Sequence, residues 1–295
     1  MAKGLLPSRP TQGRADRVTR KWWFILIVVG VNFLPPIVTR NHAEAYASMN
    51  DLPRRILSGA LLYSLSSRWW CVFDLAPIAL IAGLVLLGNR MRRVFAGYAA
   101  VSFVLFAVLQ SVAVTKEYGV AIFTCNLIWF LAVAGFWAWE AAAGLNDFSC
   151  WRAAWWKWWV VPLAIFAFWV PFAPSAQTGA LAFRPLLFLR THTGLAFCLM
   201  TPVYLAILTL HHPRVNLALM RVTALVGIII AFWNHMTAFV FTSNWYHGVV
   251  HVPLTAISIY VLVLSFRKGD SNAGVGSRND ATSPAPADTA SAYSD

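Results

Sequence analysis

Residues 221–241 read RVTALVGIIIAFWNHMTAFVF, residues 242–248 read TSNWYHG, and residues 249–266 read VVHVPLTAISIYVLVLSF. Each apolar run is about 20 residues, the length an α-helix needs to cross a hydrocarbon core of roughly 30 Å. The polar break is long enough only for a tight turn. The stretch is therefore a membrane hairpin, and it carries Asn234, His235, His247 and His251. Polar side chains at membrane depth are costly, so each one marks a candidate functional position.

The rest of the chain belongs to the same class. Of its 295 residues, 59% are hydrophobic and 12% charged, and mean hydropathy is +0.63. A soluble domain carries about 25% charged residues, so this chain cannot cover a water-facing surface. Its 15 Trp suit the membrane interface. The net charge of +12 comes from basic residues at the ends of apolar runs. No basic patch with interleaved aromatics stands apart from them, so the expected partner is the lipid bilayer and not nucleic acid. Cys71, Cys125, Cys150 and Cys198 are widely spaced and form no CxxC pair, and read as packed small side chains.

The apolar runs predict an all-α, polytopic helix bundle of about eight transmembrane helices. A basic cytoplasmic segment, expected to be flexible, covers 1–21. A first four-helix half covers 22–143, with spans at 22–38, 71–88, 94–114 and 119–143. A cytoplasmic linker at 144–157 leads to a second half at 158–268, with spans at 158–172, 192–210 and the opening hairpin. Residues 269–295 have the composition of a disordered cytoplasmic tail. Leu52–Leu65 reads as an amphipathic helix in the interface. The small-residue run Ala43-Glu-Ala-Tyr-Ala47 resembles a cleavage site, so a signal peptide over 1–47 is a rival reading of the first span.

With the N-terminus inside, inner segments hold 16 of the Lys and Arg and outer segments hold 7, which satisfies the positive-inside rule. Both termini are then cytoplasmic, in a cell (plasma) membrane. A weak internal repeat accompanies this topology. Lys21-Trp22-Trp23 and Pro35 recur as Lys157-Trp158-Trp159 and Pro171, and Tyr118-Gly119-Val120 is echoed by Tyr246-His247-Gly248-Val249. An even number of spans per repeat makes such a duplication parallel. Eight spans in two four-helix halves are similar to the architecture of haem A synthases in topology alone. Spans two and four lack the histidines that likeness would require, so no activity follows from it.

Under the repeat, His235 and His251 match Ala107 and Phe123, which places the polar function in the second half. Both histidines lie about 10 Å below the outer surface at 1.5 Å per residue. His247 and His251 share a helix face at i,i+4, and His192 opens the sixth span on the same side. Trp233 and Asp74 complete the expected cavity between spans six, seven and eight, with Thr237, Trp245 and Tyr246 as further lining and Arg184 and Arg190 near enough for an anion. Three readings are open. The cavity binds a solute, lipid headgroup or quinone for transport or sensing, with no cofactor. Alternatively His235, His251 and His247 hold a metal ion or haem in an intramembrane enzyme, although HExxH and CxxCH are absent. Or the groups only bond between helices, in a subunit of a larger complex with membrane-protein partners or in a homo-oligomer. Glu140 is expected to pair with Arg152, and Glu117 to be a solvated loop carboxylate. His211-His212-Pro213-Arg214 reads as a turn. No carboxylate is expected mid-membrane, which disfavours an ion-coupled pump.

Overall fold

The computed structural model describes residues 10–47, 52–149, 153–174, 180–186 and 193–267. It is mostly helical, at 75%. Five helices are long and apolar enough to cross a membrane: Cys71–Arg90, Arg92–Ser111, Thr124–Ala143, Leu217–Phe241 and Trp245–Phe266. Two shorter apolar helices, Trp22–Phe33 and Phe197–His211, accompany them. In chain order the α-helices are α1 (Pro10–Thr19), α2 (Trp22–Gly30), α3 (His42–Ala47), α4 (Leu52–Ser58), α5 (Leu61–Leu87), α6 (Arg92–Ser111), α7 (Thr124–Ala143), α8 (Val160–Trp169), α9 (Phe197–His211), α10 (Leu217–Met236) and α11 (Trp245–Phe266). The tail at 269–295 lies outside the described residues.

α9 is the axis of the bundle. Nearly all of it is buried, from Met200 to His211. An aromatic cluster locks it to α6 and α7: Phe197 stacks on Phe130 at 4.4 Å, and Tyr204 meets Phe103 at 5.7 Å and Trp137 at 5.5 Å. Such pairs add about 0.5–1.5 kcal/mol each beyond area burial. One hydrophobic core takes residues from α6 and α7 as well as from α9, α10 and α11. The two expected halves therefore share a core. α10 and α11 pack closely because Gly227 faces Ser258 and Leu254, where a side chain would collide with the Ser258 hydroxyl.

Two small sheets add to the all-α expectation. Strands Ile37–Val38 (β1), Val112–Thr115 (β2) and Gly119–Ile122 (β3) form a sheet in the order β1-β3-β2, and Phe172–Pro174 (β4) pairs with Leu181–Phe183 (β5). α6 thus stops at Ser111 and α7 starts at Thr124, whereas hydropathy extends the first of these spans to 114 and begins the second at 119. The cause is local. Val112, Val114, Val120 and Ile122 are β-branched, and Gly119 turns the chain at φ +67, a conformation that favours glycine. α4 covers this sheet. Leu52 and Ile56 sit on its buried face with Val38, Ala113, Tyr118 and Ala121, and Arg55 pairs with Glu117 at 2.8 Å. The expected interfacial helix is therefore α4 plus the first turn of α5, and Glu117 is bridged. α8 covers only part of the fifth run, because Val170 takes a left-handed φ of 39 before Pro171. We call the side of the bundle carrying the three-stranded sheet the sheet end.

At the opposite end, within the segment 1–21 expected to be flexible, Pro10–Thr19 forms α1, and residues 1–9 lie outside the described residues. Asp16 of α1 accepts from Arg221 at 3.1 Å and pairs with Arg20 at 3.0 Å. Arg221 is 1% exposed. It also donates to Thr19 Oγ1 and to the Ser265 carbonyl at 2.8 Å, and it lies 4.7 Å from the Phe266 ring. Glu140, also 1% exposed, accepts from the Asn146 N–H at 2.7 Å and from Asn216 Nδ2 at 3.0 Å. Asn216 in turn caps α10 by accepting from the Leu219 N–H. The expected partner of Glu140, Arg152, lies outside the described residues.

Asp147 ties these loops together. It accepts from Asn89 Nδ2 at 2.7 Å and the Ser149 N–H at 2.9 Å, and Arg214 lies 3.5 Å away. Burial works to raise its pKa, but the hydrogen bonds from Ser149 and Asn89 and the charge of Arg214 outweigh it, and the carboxyl falls from 3.8 to about 2. A carboxylate more acidic in the folded state adds stability above its unfolded pKa and loses it as pH falls through the folded one. Because the side chain is 38% exposed, screening reduces the contribution to about 1 kcal/mol. Asp147→Asn is expected to flatten the loss of Tm between pH 4 and pH 2; an unchanged acid limb would remove Asp147 as its source.

Candidate functional site

The site begins with Asn234, near the sheet end of α10. Its Nδ2 donates to the Ile230 carbonyl at 2.8 Å and approaches Cys198 Sγ of α9 at 3.6 Å. That arrangement leaves Oδ1 as the acceptor side, and His247 Nε2 lies 3.0 Å from it. His247 is in the first turn of α11, where Asn244 caps the helix by accepting from the His247 N–H. One turn on, His251 Nδ1 lies 2.7 Å from the His247 carbonyl, and the two rings are 4.4 Å apart. A further turn on, the Thr255 hydroxyl donates to the His251 carbonyl at 3.1 Å and meets His235 Nε2 at 2.7 Å. His235, Asn234, His247 and His251 thus form one hydrogen-bonded constellation between α10 and α11, touching α9 at Cys198.

The partners decide the tautomers. A carbonyl only accepts, so His251 carries its proton on Nδ1. The Thr255 proton is directed at the His251 carbonyl, so His235 Nε2 donates to Thr255 Oγ1. The Asn234 amide oxygen only accepts, so His247 carries its proton on Nε2. Three nitrogens remain as acceptors: His235 Nδ1, His247 Nδ1 and His251 Nε2. Among the described residues none has a hydrogen-bond partner, and His235 Nδ1 is itself buried. Just beyond, Thr237–Phe241 forms a π-helical turn closed by the Thr242 N–H on the Thr237 carbonyl at 3.0 Å. Such turns are frequent at functional positions. Phe239 of that turn stacks on His235 at 5.8 Å.

The other expected residues are placed elsewhere. Trp233 is 40% exposed and donates through Nε1 to Asn32 Oδ1 at 2.7 Å, so it faces the turn after α2. Tyr246 donates to the Phe172 carbonyl, anchoring α11 to the β4–β5 hairpin. Trp245 and Arg184 are exposed. Asp74 is fully buried on α5 and accepts from the Gly194 N–H at 2.7 Å, while its other oxygen has no partner among the described residues. It meets the turn that leads into α9, so Asp74 and the histidines engage the same end of that helix through different residues. Gly194 abuts the Phe73 carbonyl and leaves no room for a side chain. His192 and Arg190 lie outside the described residues.

Sequence reasoning missed Thr255, Cys198 and Phe239. Thr255 was within reach, because 247, 251 and 255 repeat at i,i+4 along one face. Cys198 and Phe239 carry no such signal. Among the described residues no group of three or more His, Cys, Asp and Glu is arranged to hold a metal ion. No family of proteins, no curated protein and no solved structure matches this chain.

Proposed function

We propose that the chain is a multi-pass plasma-membrane protein that binds a small molecule or lipid between α9, α10 and α11, for transport or sensing. The observation carrying this reading is the set of three imidazoles, each held by one nitrogen and left with the other unpartnered. Of the three free nitrogens His235 Nδ1 is buried, and a buried polar atom that served only to bond helices together would have its partner. Here each ring is oriented by a carbonyl, a hydroxyl or an amide and offers a second nitrogen to something else.

The proposed topology is eight spans in a parallel four-plus-four arrangement, with both termini cytoplasmic and the sheet end outside. The contacts at the opposite end support it. Arg20 and Arg221 both reach carbonyls at the end of α11, at Phe266 and Ser265, so α1 and the end of α11 lie together. The basic residues Arg92, Lys157 and Arg214 lie in segments joined there too: Arg214 pairs with Asp147, and Lys157 donates to the His212 carbonyl at 2.7 Å.

The test is to purify the full chain in lipid nanodiscs and identify co-purifying small molecules by mass spectrometry, beside an Asn234→Leu, His235→Ala variant. A compound enriched in the wild type and depleted at least tenfold in a folded variant is the expected result. Identical extracts from two equally stable proteins would end the proposal.

A further inference from the structure

The three free nitrogens have a chemical sign, and it selects the ligand. Each is an imidazole lone pair, so the site accepts hydrogen bonds and donates none from its rings. The helix segments that hold the rings carry no formal charge to alter this, and the buried Asp74 carboxyl meets only the turn before α9, through the Gly194 N–H. From Thr193 to Leu210, and from Val222 to Phe266, there is no Lys, Arg, Asp or Glu. An anion would meet acceptors and no cation. A cation would find no carboxylate on these helices, and a buried charge without a counter-charge is costly. What remains is a neutral molecule bearing O–H or N–H donors.

The walls add a shape. Phe239 lies parallel to His235, with 15° between the planes. Phe239, Phe241 and Trp245 are all exposed at this end of the hairpin. His247 and His251 stand side by side on α11, with ring centroids 4.4 Å apart and the planes tilted by 46°. Flat aromatic surface beside paired acceptors suits a planar aromatic alcohol.

We propose, building on the binding reading above, that the ligand is a hydroquinone-class aromatic diol whose hydroxyls donate to His247 Nδ1 and His251 Nε2. His235 Nδ1 is buried and is not assigned a ligand hydroxyl. Asn234 and Thr255 are positioning residues, which fix the tautomers that leave these nitrogens free.

The probes are a short-chain alkylated hydroquinone kept reduced, its dimethyl ether, a short alkyl phosphate and an alkylammonium ion. Binding to the full chain in nanodiscs is read by calorimetry. The hydroquinone is expected to bind at least about tenfold more tightly than its ether, since each lost hydrogen bond is worth about that factor. That preference is expected to vanish in His247→Ala, His251→Ala and to be partly kept in His251→Gln, whose amide oxygen still accepts. Equal binding of hydroquinone and ether, or tighter binding of phosphate or ammonium, overturns the ligand class and leaves the binding reading standing. No histidine-dependent binding of any probe overturns both. If the double variant does not fold, the wild-type preference between hydroquinone and ether decides.

Discussion

Alanine at Asp16 is expected to destabilise the protein by about 3 kcal/mol, a loss read as a fall in Tm in detergent. The cost does not come from the aspartate, whose side chain is 30% exposed. It comes from Arg221, which is 1% exposed and would keep its charge in a closed site with only Thr19 Oγ1 and two carbonyls around it. Removing one partner of a buried ion pair typically costs 3–5 kcal/mol, and partial exposure of Asp16 puts this case at the low end. The same argument predicts recovery. Arg221→Met added to Asp16→Ala removes the stranded charge and fills a similar volume, so the double variant is expected to be more stable than Asp16→Ala alone. If the two losses simply add, the charge was never stranded and α1 is held by other contacts.

This pair also shows where sequence reading stops. The membrane class follows from hydropathy alone, because 20-residue apolar runs have few other uses, and the five long apolar helices agree with it. Element ends are harder. Residues 112–114 and 119–122 are as apolar as a helix end, and only the β-branched pattern and the Gly119 turn separate these strands from the spans they join. Docking of α1 was out of reach. Arg14, Arg17 and Arg20 look like a solvated basic tail, and nothing in their spacing shows that Asp16 finds Arg221, 205 residues away.

The candidate site divides in the same way. Asn234, His235, His247 and His251 are unusual residues for an apolar hairpin, and their rarity exposes them. The i,i+4 spacing of His247 and His251 puts them on one face, and the hairpin brings α10 opposite. Trp233 fails for a geometric reason: adjacent residues on a helix point about 100° apart, so Trp233 turns to Asn32 while Asn234 and His235 turn to α11. Thr255 follows His247 and His251 on one face at i,i+4, but its bond to His235 and the approach of Cys198 to Asn234 are tertiary contacts that no spacing encodes. Asp74 is recognisable as costly, but its partner is a backbone N–H at Gly194, which no side-chain pattern encodes.

Glu140→Ala is expected to cost about 3 kcal/mol, because it strands two buried donors at once. The Asn146 N–H and Asn216 Nδ2 both point at this carboxylate, from 2.7 and 3.0 Å. Asn216 is 0% exposed and Asn146 1%, so water does not replace what is lost without opening the loop. The damage spreads because Asn216 also caps α10, and the Asn216 N–H donates to Asn146 Oδ1 at 2.7 Å. A loosened cap adds about 1 kcal/mol. Glu140→Gln separates a network effect from simple loss of volume. Glutamine fills the same space but presents an NH2 where a second acceptor is required, so one donor then faces another. It is therefore expected to lose most of what alanine loses, despite its shape. Should Glu140→Gln match the wild type in Tm while Glu140→Ala falls, packing holds this corner and the two-acceptor account is wrong. If both fall together, the C-terminal end of α7 is fixed to α10 by hydrogen-bond sign, and the hairpin that carries the histidines is anchored there.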